Sequence, residues 1–143
     1  MSEGEPGFDP EAFINNLRRV GHMTMLGIRY AGHGPDWAEL SLPQHARFLD
    51  EEGGMAFGPI ATLLDMSLGF SIWIHGGRFR PHATLDLRID RVRAARPGAT
   101  IIGHGEYLGM SGQAAFVRGY AHDGDAADPI ALASGTFMLS ETW

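Results

Sequence analysis

The chain has 143 residues, 44% of them hydrophobic and 20% charged, the balance of one globular domain large enough to bury a core unaided. It contains no cysteine, which excludes disulfides, thiolate metal sites and thiol nucleophiles. A formal net charge of −6 argues against general nucleic-acid affinity, and all eleven basic residues are arginine.

Residues 1–8 are acidic, polar and glycine-bearing and read as a disordered tail, leaving residues 9–143 as a single domain. The acidic start does not fit a signal peptide, so a cytoplasmic protein is expected. Asp9-Pro10-Glu11 is a helix-start signal, with an acid at the cap and proline in the first helical position. Phe13, Leu17 and Val20 then recur at helical spacing, and Gly21 ends the segment. A first strand is expected over residues 23–30, a turn over 31–35, and a second strand over 37–42, where Ala38, Leu40 and Leu42 alternate with Trp37, Glu39 and Ser41. The loop 44–58 carries His45, Asp50, Glu51, Glu52 and a glycine pair.

Residues 58–74 follow, with Leu63, Leu64, Leu68, Phe70, Ile72, Trp73 and Ile74 leaving almost no wet face, which predicts a buried helix roughly 25 Å long. Asp65 lies inside it and flanking glycines bound it, so it is not read as a membrane span. A lone acid there must be solvated through a cleft, paired or protonated, which makes Asp65 the first candidate for chemistry. Gly76 and Gly77 stop the helix. Residues 84–92 alternate, placing Leu85, Leu87 and Ile89 opposite Thr84, Asp86, Arg88 and Asp90. Strands near 99–108, 113–122 and 130–139 complete the chain, and the short links after the helix predict an antiparallel meander. The class is α+β: an antiparallel sheet of about six strands wrapped around one long central helix, with an extra N-terminal helix.

This arrangement resembles the hotdog fold, and the sequence is similar to the PaaI-like acyl-CoA thioesterases. The likeness spans roughly residues 29–139 and rests on Ile60-Ala61-Thr62-Leu63-Leu64-Asp65 with Gly69, on Thr84-Leu85-Asp86-Leu87-Arg88-Ile89-Asp90, and on Ala131-Leu132-Ala133-Ser134-Gly135-Thr136-Phe137. The family's His-Gly-Gly reads Ala56-Phe57-Gly58 here, and a frequent family asparagine reads Asp50. The resemblance implies hydrolysis of an aryl- or medium-chain acyl-CoA, with coenzyme A entering only as part of the substrate. It further implies a dimer or dimer of dimers with sites at the subunit interface.

Within that resemblance, Asp65 is the nucleophile or general base, Thr84 helps hold the attacking water, and the Phe57 and Gly58 N–H groups at the helix start form the oxyanion hole. Ala56 and Asp50 occupy acyl-binding loop positions, although an ionised aspartate only accepts hydrogen bonds and a plain solvent-facing role is the first reading for it. Arg88, Arg91, Arg93 and Arg96 suit phosphate oxygens, or else form an ordinary charged strand edge. His104 and Glu106 share a strand face, yet no group has convincing metal spacing, so no metal is expected. The alternative is a hotdog protein that binds acyl-thioesters without hydrolysing them, its loop having drifted.

Overall fold

The computed structural model describes residues 7–17 and 21–141. Its elements run α1 (Pro10–Leu17), α2 (His22–Leu26), β1 (Arg29–His33), β2 (Trp37–Leu42), a single 3₁₀ turn (Ala46–Phe48), α3 (Phe57–Gly76), β3 (His82–Arg91), β4 (Ile101–Ser111), β5 (Ala114–His122) and β6 (Ala131–Leu139). Six antiparallel strands form one sheet in the order β1-β2-β4-β5-β6-β3. This is the hotdog arrangement, with α3 as the wrapped helix.

The N-terminal helix forms as its start signal demands: the Ala12 N–H donates to Asp9 Oδ1 at 3.1 Å. Val20, expected on its buried face, lies outside the described residues, as do residues 1–6 of the expected tail. Phe8, assigned to that tail, instead packs its ring on Phe13, 5.5 Å between centroids.

Residues 23–28, expected to open the first strand, are not a strand. Met23 and Leu26 are buried as one helical turn, which Gly27 closes by donating to the Met23 and Thr24 carbonyls at a φ of 75°. Four apolar residues are too few for periodicity to separate a strand from a helical turn. The first strand begins at Arg29 and runs through the Ala31-Gly32-His33 stretch expected to turn. Its partner β2 behaves as its alternation requires, with Ala38, Leu40 and Leu42 fully buried.

The core is α3 against the sheet. Leu63, Leu64, Ser67 and Leu68 are fully buried, and α3 lies closest to β4, β2 and β5. Glycines in β4 let the helix come this near: a Cβ on Gly105 would fall on the Ser67 main chain. By length and composition α3 could cross a bilayer, but here it is the core helix under the sheet.

The four strands after α3 are not a simple meander. The chain from β4 to β6 does meander, but β3 pairs with β6 and forms the far edge. The link after β3 therefore crosses the end of the sheet. It is held there by Val92 and Arg93 N–H groups donating to the Ile130 carbonyl and by Arg93 on Asp123.

Candidate active site

One face of α3 borders open space in places, between stretches that the sheet covers. Gly58, Thr62, Asp65, Met66, Gly69 and Trp73 recur along it at three- and four-residue steps and border two hollows. The first holds about 370 Å³ and is walled by Phe70, Trp73, Phe79, His82 and Phe137, with Asp65 and Thr84 at its rim. Asp65 is half-buried, so its carboxylate is solvated through this cavity rather than sealed in the core.

Thr84 Oγ1 donates to Asp65 Oδ1 at 2.8 Å. Strict alternation places Thr84 on the strand face opposite Leu87 and Ile89. The structure places all three on the inner face, because the register against β6 shifts between Thr84 and Asp86. Leu85 is the extra residue of that bulge and is 58% exposed. The bulge is what turns Thr84 toward Asp65.

His82, which sequence reasoning passed over, is the one ionisable side chain in the aromatic wall. It stacks on Trp73 at 4.6 Å and meets Phe137 edge-on at 4.9 Å. Its Nε2 donates to the Gly69 carbonyl at 3.1 Å. Burial pushes its pKa below the ordinary value, opposed by the Gly69 bond and by the nearby Asp65 charge. The ring packs so closely on Gly69 that a Cβ there would lie 2.8 Å from His82 Cε1. A bare glycine one turn after Asp65 in an apolar helix was the available signal that something bulky fills the gap.

At the other end of α3, Phe57 and Gly58 open the first turn, where main-chain N–H groups have no intrahelical acceptor. Ala56 caps the helix without a side-chain bond, its own N–H donating to the Phe48 carbonyl at 2.7 Å. The Arg91 guanidinium lies 5.7 Å from the centroid of the Phe57 ring. Gly58 also borders the second hollow, about 450 Å³, with Met25, Leu26, Arg47 and Phe48.

The remaining candidates separate. Asp50 is exposed, and its Oδ1 accepts the Glu52 and Gly54 N–H groups at 2.9 and 3.0 Å, so the carboxylate braces its own turn rather than facing a ligand. Arg93 is committed to structure: it donates to both Asp123 oxygens at 3.1 and 2.7 Å, to Asp128 at 3.1 Å and to two carbonyls. That leaves its fork nothing for a phosphate. The Asp123 side chain is fully buried, and the Arg93 guanidinium holds its pKa far below the usual carboxylate range. Arg96 shares Asp123 through its main-chain N–H at 2.7 Å and its guanidinium at 3.3 Å. Arg88 points outward and pairs with Asp90 at 3.3 Å. His104 and Glu106 do meet, at 3.2 Å, and among the described residues no cluster suits a metal ion.

Asp65 and Gly58 stand seven residues apart on one straight helix, roughly 10 Å along its axis. One chain therefore does not bring its own carboxylate and its own helix-start amides to a single carbonyl group.

No family model matches the sequence, and no curated protein matches it. Solved structures do. A Pseudomonas aeruginosa protein is 31% identical, with a TM-score of 0.77 over 90% of this chain and 95% of its own. A thioesterase from Haemophilus influenzae superposes with a TM-score of 0.81 at 15% identity, covering 91% of this chain and 90% of its own. The E. coli PaaI protein from the phenylacetic acid degradation operon gives 0.78 at 15% identity, covering 91% of each. This chain is thus a relative of the Pseudomonas aeruginosa protein and shares the hotdog fold of PaaI and of thioesterase-family proteins.

Proposed function

We propose that the protein is an acyl-CoA thioesterase whose site is shared between two copies of the chain. The observation that carries this reading is Asp65, held by Thr84 at the mouth of an aromatic cavity. The Thr84 bond occupies Oδ1 and leaves Oδ2 to take a proton from water. The water oxygen attacks the thioester carbon, and the carbonyl π pair moves onto oxygen. The Phe57 and Gly58 N–H groups of a second copy bind that oxyanion. Collapse breaks the C–S bond, the thiolate takes the proton from Asp65, and acid and thiol leave. The cavity, at about 370 Å³ and lined by four aromatic rings and His82, suits an aryl or medium acyl group.

The geometry of β3 supports the shared site. This strand is an edge, so its outer N–H and C=O groups are free to pair. Its inner face carries Thr84 on Asp65 at one end and Arg91 on Phe57 at the other. Two copies joined antiparallel through this edge place the Phe57 end of one beside the Asp65 end of the other.

A panel of acyl-CoA thioesters tests the reading by thiol release. Wild type is expected to turn over aryl or medium acyl groups, and Asp65→Asn to lose at least about 100-fold. Unchanged release by Asp65→Asn removes that residue from the mechanism. Saturable binding with no release favours a binder whose Ala56-Phe57 loop has drifted.

A further inference from the structure

We propose that Arg91 is a catalytic residue of the neighbouring copy's site, its guanidinium joining the Phe57 and Gly58 amides on the developing oxyanion. The inference rests on the thioesterase reading above. Arg91 pairs with Ala131 as Ile89 pairs with Ala133, so it lies on the inner face of β3 with Thr84. Its guanidinium sits over Phe57, the residue whose N–H opens α3. Among the described residues it has no carboxylate partner, whereas Arg88, Arg93, Arg96 and Arg118 each have one. Asp90, the acid beside it in the strand, belongs to Arg88.

An exposed guanidinium over the ring of the residue that opens α3, with no counter-charge of its own, is free to meet a negative charge that develops during reaction. Ala56, the cap residue, supplies no donor side chain of its own. Antiparallel pairing of two β3 edges carries Arg91 across to the partner's Thr84 and Asp65. The charge then meets the carbonyl oxygen as the electron pair reaches it, and the C–S bond breaks as described above.

Arg91→Met keeps an apolar stem over Phe57 and removes the charge. Assayed with one acyl group carried on coenzyme A and on pantetheine, it is expected to lose about a hundredfold in kcat on both, with KM little changed. Arg91→Lys is expected to recover part of that loss. Unchanged kcat, or a higher KM confined to the coenzyme A thioester, overturns the proposal, the latter making Arg91 a phosphate contact. A second readout needs no turnover. In this cysteine-free chain, Arg91→Cys with Thr84→Cys puts two thiols about 23 Å apart along one strand. A short bis-maleimide therefore links them only between copies. Covalent dimers are expected, and their absence from a protein that is dimeric in solution overturns the placement. Covalent dimers from the double variant, together with a wild type that hydrolyses no thioester in the panel, refute the thioesterase reading and the catalytic role, while the placement stands.

Discussion

At the scale of single residues, the site depends on what surrounds each ionisable group. Asp65 was legible because a lone carboxylate in an apolar helix needs an explanation. Thr84 was legible only through the resemblance, since threonine is ordinary in strands. His82 was not legible, because nothing local distinguishes a histidine after Pro81 until its ring is seen between Trp73 and Phe137. Its burial has a consequence for pH. The fold favours the neutral ring, so the associated stability is full above the ordinary value of roughly 6.5 and is lost as pH falls toward the lowered one. Protonation also puts a cation into the wall of an apolar cavity. Tm is expected to fall as pH drops below about 6.5, and KM for an apolar acyl thioester to rise only at the lower pH where the folded ring takes up its proton. His82→Phe is expected to flatten both profiles while keeping the stack on Trp73. Profiles unchanged in that variant assign the pH dependence elsewhere.

At the scale of elements, α3, β2, β4, β5 and β6 follow their sequence patterns closely, because each buries a continuous apolar face or alternates against one. The departures come where a pattern was too short or too regular. α2 has five residues, fewer than two turns, and its helical form depends on Gly27 and on burial of Met23 and Leu26. In β3 the alternation looks unbroken from Thr84 to Asp90, yet a bulge at Leu85 resets its phase. No local propensity marks that bulge; it reconciles pairing to β6 with Thr84 reaching Asp65. Deleting Leu85 removes the extra residue, so Thr84 and Leu87 fall two apart and share the inner face of a regular strand; kcat is expected to stay within a few-fold of wild type, whereas Thr84→Val lowers it, with the fold retained by circular dichroism. A deletion variant whose kcat falls as far as that of Thr84→Val shows that the bulge itself, and not the phase it sets, holds Thr84 on Asp65. The destination of β3 was equally hidden, because the position of the far edge is set by Arg93 bonding to Asp123 and Asp128 across the sheet's end.

At the scale of the whole molecule, the proposed site divides into two halves that one chain carries apart. The carboxylate half is Asp65 with Thr84 and the aromatic cavity; the amide half is Phe57 and Gly58 with Arg91. The rise along α3 keeps the halves apart within a chain, and the proposal joins two chains at the free edge of β3. Sequence supplied the residues of both halves, but their separation became visible only when they were seen on one helix with β3 alongside. The most direct measurement is subunit complementation. Asp65→Asn breaks the first half, and Gly58→Pro removes an N–H from the second at a helix start that tolerates proline. Each variant alone is expected to be nearly inactive, and refolding the two together in equal amounts is expected to restore about a quarter of wild-type thiol release, because mixed dimers carry one intact site. A mixture no more active than the sum of its parents would contradict the shared site.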